Sequence, residues 1–320
     1  MKAAMDRAKA LRPFRGVCPW ICALWTAAGL VLGHVQAKSA PTAAAPVIQG
    51  TGLCQFLLHH YTLPQQTEAR INQAVGEALK QHRMAFGFES NPDFKVRVRL
   101  FGSFEEYQRF VRTNLHAPDL AQGTLNITNL AGFYSTATRE LVTWSQRVPS
   151  DLANVVLHES SHAILDAHFH WLPLWLMEGC ATYFAFPREI QDRHDVLSLE
   201  ARWALLNYWL QETNLPPVGT FVNLDSAAWT RLDPIRSYTL SWSIFQFLMN
   251  SPANRRVLQQ FAWGIERGRG PKTDCAALLD QLYPGGVKQL DQDWRRWIVQ
   301  TGAKVLRPQR AGNGADRKSK

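Results

Sequence analysis

Between Leu152 and Leu165 the chain is apolar almost throughout, yet it carries His158-Glu159-Ser160-Ser161-His162 in its middle. Leu152, Val155, Val156, Leu157, Ala163, Ile164 and Leu165 keep helical periodicity, so this helix has to be buried on most of its surface. A histidine, a carboxylate and a second histidine taken out of water need partners to offset their desolvation. Residues four apart project from the same side of a helix one turn apart, so the two imidazoles can converge on a single ion. Glu159 is rotated by one position, beside such an ion rather than on it, where it can accept a proton from water. Ten histidines in 320 residues produce this pattern by accident in roughly one such chain per hundred.

Two histidines leave a catalytic zinc short, because such a site takes three protein ligands and an open position. His168 stands six residues after His162, the spacing at which a metzincin places its third histidine. That route needs a chain turn normally made by glycine, and Leu165 occupies the position. Glu178, in Leu172-Pro173-Leu174-Trp175-Leu176-Met177-Glu178-Gly179, is the better third ligand. Pro173 ends the first helix and is preorganised to start a second, and a carboxylate one and a half turns into that helix can return to the ion. Among Trp175, Leu176, Met177, Cys180, Tyr183 and Phe184 an unpaired charge is expensive, so Glu178 asks for a cation.

The rest of the chain divides near residue 150. Ile71, Val75 and Leu79 predict a helix between Pro64 and His82, and Lys95 to Phe101 alternates as a half-buried strand does. Ser103-Phe104-Glu105-Glu106 reads as a capping box, followed by Phe104, Tyr107 and Val111 at helical spacing. Residues 131–135 and 140–144 read as two strands joined by the turn around Thr136 to Thr138. Ala131-Gly132-Phe133-Tyr134-Ser135 is expected as a sheet edge able to pair with an extended peptide. Helices are expected at 151–168, 173–186, 197–213, 237–249, 254–267 and 286–300, punctuated by proline and Pro284-Gly285-Gly286. Strands followed by helices without strict alternation imply an α+β fold: a small mixed sheet with flanking helices, then a mostly helical half that carries the His-Glu-His helix. Trp203, Trp209, Trp229, Trp242, Trp263, Trp294 and Trp297 sit at helical spacings with Leu and Phe and are read as core.

The formal charge of +9 raises the question of nucleic acid, and its distribution answers it. Lys2, Arg7, Lys9, Arg12 and Arg15 stand against Asp6 in residues 1–37. Lys304, Arg307, Arg310, Arg317, Lys318 and Lys320 stand against Asp316 in residues 303–320, and the body between is neutral. That distribution argues against a nucleic-acid-binding body. Residues 1–37 have the order of a secretory signal: a basic start, the apolar run VCPWICALWTAAGLVLGHV, and Val35-Gln36-Ala37 as a small-residue cleavage pattern. Left uncleaved, the run is near the length of a membrane anchor. An Ala/Pro-rich linker is expected at 38–52, one catalytic domain at 53–302 (an α/β lobe over 53–148, a helical lobe over 149–302), and a basic disordered tail at 303–320. Of the cysteines beyond the signal, Cys54 and Cys275 are candidates for a bridge in an oxidising compartment, while Cys180 reads as a small residue buried against the motif helix.

HESSH followed by LPLWLMEGCATYF resembles the signature of gluzincin zinc peptidases, and in particular the exported bacterial "peptidase MA-like" proteins, with their P-x-W-L-x-E-G-x-A-x-Y-F segment. The likeness extends more loosely to VRVRLFGSFEEYQRF, AGFYS and LVTW upstream and to SYTLSWSIFQFL and LYPGGVKQLDQDWRRW downstream. It implies a thermolysin-like core, one Zn²⁺ held by His158, His162 and Glu178, and Glu159 as general base acting on a peptide or protein substrate in the periplasm or outside the cell. It also puts a tyrosine at the position of Tyr238, as the donor that stabilises the carbonyl oxygen, with Tyr183 as the competitor. A zinc-binding envelope protein without turnover is the alternative, and the presence of Glu159 speaks against it, since a structural site needs no base.

Overall fold

The computed structural model describes residues 46–50, 52–114, 131–146, 149–185, 198–268 and 270–306. Its sheet has five strands, β1 (Val47–Gln49), β2 (Cys54–His59), β3 (Val96–Phe101), β4 (Gly132–Ser135) and β5 (Glu140–Trp144), in the order β1-β2-β3-β5-β4. The three central strands are parallel, with Cys54 opposite Val96 and Arg97 opposite Glu140. The two edge strands are antiparallel, with Val47 opposite Leu58 and Gly132 opposite Thr143. Parallel neighbours need crossovers. Helix α1 (Gln65–Phe86) supplies the one from β2 to β3, and α2 (Phe104–Asn114) lies in the connection from β3 towards β5.

The alternation of β3 sorts its side chains onto two faces. Val96, Val98 and Leu100 join Ile71, Val75 and Ala78 of α1 and Leu152, Val156 and Leu157 of α3 (Pro149–Asp166) in one cluster. On the opposite face Tyr107 and Val111 of α2 pack with Phe101, Phe133 and Val142. Arg97 and Arg99 each meet the buried Glu140 at 2.8 Å on that face, so the charged half of the alternation is paired. Ser103 caps α2 as its sequence suggests, its hydroxyl accepting from the Glu106 backbone N–H at 3.2 Å. The Glu106 carboxylate does not close the box; it meets His60 Nδ1 at 2.6 Å.

Beyond α3 the described chain is helical: α4 (Leu174–Phe184), α5 (Leu199–Gln211), α6 (Val218–Val222), α7 (Ser226–Thr230), α8 (Pro234–Met249), α9 (Pro252–Gly268), α10 (Cys275–Leu282) and α11 (Gly286–Val305). The expected tryptophan core is present. Trp203, Trp209, Trp229, Trp242 and Trp294 are buried in one large cluster, with Trp263 and Trp297 packed against it. Trp263 Nε1 donates to the Phe86 carbonyl at 2.7 Å, which ties α9 to the end of α1.

Several expectations need correction. The linker expected over 38–52 already belongs to the sheet at Val47–Gln49, where Gln49 Nε2 donates to Glu68 Oε2 at 2.6 Å. Strand β2 escaped notice because Phe56, Leu57 and Leu58 run together without alternation, as a central parallel strand does. Helices α6, α7 and α10 are too short to show periodicity. Helix α11 runs to Val305, into the segment read as tail. The Cys54–Cys275 bridge does not form: Cys54, Cys180 and Cys275 are free and buried, the first in the sheet cluster and the last in the helical one. The signal segment at 1–37 and the residues from 307 onward lie outside the described residues. Among the described residues no helix is long and apolar enough to cross a membrane.

Candidate metal centre

Helix α3 presents its residues in an angular sequence that organises everything around it. At 100° per residue, His162 lies roughly 40° around the axis from His158, Val155 and Asp166 roughly 60–80°, and Glu159 roughly 100°. Leu152, Ala163 and Val156 follow at roughly 120–160°. The last group faces the sheet, where Leu152 and Val156 pack on Leu100 and Leu141. The middle group faces β4: a methyl on Gly132 would stand 2.8 Å from Val155 Cγ1, and the Tyr134 hydroxyl donates to Asp166 Oδ2 at 2.9 Å. The two imidazoles therefore project past the β4 edge, on the side away from the sheet.

Helix α4 supplies the third group. Pro173 starts it as the sequence suggests, its carbonyl accepting from the Leu176 and Met177 N–H groups at 2.9 and 3.1 Å. From there Glu178 reaches back to α3, with Oε2 at 3.3 Å from His158 Nε2 and Oε1 at 3.5 Å from His162 Nε2. One ligand atom from each of His158, His162 and Glu178 lies within 4.8 Å of the other two, so the three converge as a group that could hold a metal ion. His168 does not join them; its ring stacks on Phe88 with centroids 3.8 Å apart.

The donor set fits a divalent cation. His158 Nε2 and both Glu178 oxygens are buried without a well-formed hydrogen bond, although Glu178 is wholly inaccessible to solvent. Burial lowers His162 to about 4, with Glu178 opposing and His158 reinforcing the shift. Burial also lowers His158, with Glu159 opposing and Arg202 reinforcing. Both rings are thus neutral at pH 7 and offer lone pairs. Burial raises the Glu178 carboxyl, opposed by His162 and by the nearby Tyr238 hydroxyl. A cation is what this set of buried lone pairs calls for. Glu159 is buried beside the triad, 1% exposed and near enough to act on the His158 charge.

Tyr238 is also at the site, with its ring centroid 6.4 Å from that of His158 and 5.3 Å from that of Trp229. It does not open its helix, as the sequence suggested, but lies a turn inside α8, which begins at Pro234 and is capped by Asp233. Tyr183 packs against Phe184 and Phe245 instead.

Two neighbours of the centre were not singled out as partners from sequence. His82 Nδ1 donates to the Ala78 carbonyl at 2.7 Å, which leaves Nε2 to accept from the Cys180 thiol at 3.3 Å. Cys180 therefore reaches α1 through this contact, in a cluster that also holds Ile164 and Leu165 of α3. Arg202 of α5 is 7% exposed and stacks over Trp242 at 5.6 Å. Its isolated position among Ala201, Trp203 and Ala204 was the only trace of this in the sequence. No family model and no curated protein matches this chain, so the likeness to gluzincins rests on the motif residues themselves.

Proposed function

We propose that this protein is an exported zinc metallopeptidase of the gluzincin type. The observation that carries the reading is the convergence of a half-buried His158 with the buried His162 and Glu178, their polar atoms short of hydrogen bonds, with Glu159 next to them and not among them. When bound, Zn²⁺ supplies Lewis acidity to a carbonyl oxygen and to water. Glu159 takes the proton of the attacking water and hands it to the leaving amine. Tyr238 turns its hydroxyl from Glu178 towards the oxygen on which negative charge builds. The peptide lies along β4, the last strand of the sheet, which among the described residues pairs only with β5. Export rests on the basic, apolar and small-residue order of residues 1–37.

The direct test is metal analysis of protein purified without added metal, followed by zinc titration of the chelator-stripped form. One zinc per chain, reduced to none in His158→Ala and in Glu178→Ala, is the expected result. Stoichiometric zinc in both variants would remove the triad from the account.

A further inference from the structure

Asp166 is not used by the chemistry proposed above, yet it occupies a telling place. It is the last residue of α3, one helical turn beyond His162 and on the stripe that faces β4. A carboxylate at a helix C-terminus meets the negative end of the helix dipole, and no basic residue occupies the last turn to offset it. The Tyr134 hydroxyl, donated from the edge strand at 2.9 Å, holds the carboxylate in place. Among the described residues the neighbour of opposite charge is Arg139, 79% exposed at the end of the β4–β5 turn, whose Nε stands 4.0 Å from Asp166 Oδ2. That is the outer limit of an ion pair, and at such exposure it is worth little. Asp166 itself remains 25% accessible. Carboxylate and helix end together make a cation-favouring spot at one end of the groove where a peptide would lie.

We infer that Asp166 is a specificity-determining residue that receives a lysine or arginine side chain of the substrate. This rests on the metallopeptidase reading for the existence of a bound peptide. Arg139 is the internal stand-in: its guanidinium lies where the substrate cation goes and gives way to it. The Tyr134 hydrogen bond fixes the carboxylate so that a side chain reaching it from the β4 edge finds it already oriented.

The test uses zinc-loaded full-length protein and a set of quenched-fluorescent peptides that differ only in Lys, Arg, Gln or Glu at each position around the scissile bond. One position should prefer Lys or Arg over Gln by about tenfold in kcat/KM, the scale of a charge-assisted contact at partial exposure. Asp166→Asn, which retains the acceptor for Tyr134, should abolish that preference and leave the Gln peptide unchanged. Arg139→Ala should increase the preference. An undiminished basic preference in Asp166→Asn, or an acidic preference that disappears in Arg139→Ala, would overturn the assignment. A second arm needs no turnover: fluorescence anisotropy of labelled Lys and Gln peptides on Glu159→Gln, with and without Asp166→Asn. Selective binding of the Lys peptide that Asp166→Asn removes, alongside a zinc-loaded wild type that cleaves none of the set, would sink the peptidase reading and leave the basic subsite standing. Cleavage with no Lys selectivity in either arm would do the reverse.

Discussion

A methyl group on Gly179 would stand 2.5 Å from the Ser241 carbonyl oxygen, which is closer than any real Cβ comes to a backbone atom. Helices α4 and α8 therefore cross backbone to backbone at these two residues. Glu178 precedes Gly179, and Tyr238 lies one turn before Ser241, so the close crossing is what brings the tyrosine to the ligand carboxylate. Gly179→Ala should destabilise the fold by about 1–3 kcal/mol, the usual result of overpacking, despite the better helix propensity of alanine. It should also weaken zinc binding, because α8 has to move. Urea unfolding and zinc titration of the variant check both; unchanged values would mean that the crossing is looser than it stands here.

His82 gives the protein a built-in acid sensitivity. Burial holds its ring at about 4, below the ordinary 6.5, so the folded state refuses a proton that the unfolded chain accepts. Its contribution is then fully present above about pH 6.5 and is lost as pH falls towards about 4, by a few kcal/mol. Zinc-free protein should show a urea midpoint that drops through this window. His82→Leu should drop less steeply, the residual slope belonging to His158 and His162, whose rings burial also lowers. An equal slope in the variant would show that His82 titrates normally.

The metal triad and most of the helical half were legible in the sequence, because each depends on local spacing. Four residues from His158 to His162, and a proline five residues before Glu178, already determine which side chains can converge. Glu178 in an apolar segment declared its need for a partner. The Tyr238 contact followed from resemblance, not from spacing, since it depends on how closely α8 approaches α4. The Cys180–His82 pair joins residues 98 apart in the chain, and nothing local announces it. Strands β1 and β2 were missed for a related reason: a three-residue edge and a continuous apolar run carry no alternation to read.

His168 offers a clean contrast between the two ligand sets that the sequence allowed. Stacked on Phe88, it should be dispensable to the metal, so His168→Ala should bind zinc as tightly as the wild type while His158→Ala does not. A loss of zinc in His168→Ala would reinstate the histidine and displace Glu178.

Removing the Tyr238 hydroxyl tests whether it does more than brace Glu178. Tyr238→Phe should retain zinc and lose about 2.7–4 kcal/mol of transition-state stabilisation, seen mainly in kcat. A variant with full turnover would make the residue a packing element between His158 and Trp229.

The most direct test is a cleavage comparison of zinc-loaded wild type and Glu159→Gln on a peptide library derived from a whole proteome. The account predicts cleaved bonds in the wild-type sample, and a rate lower by about two to four orders of magnitude in a variant that still binds one zinc. Equal cleavage by the two proteins, or none by a wild type shown to hold its zinc, would contradict it.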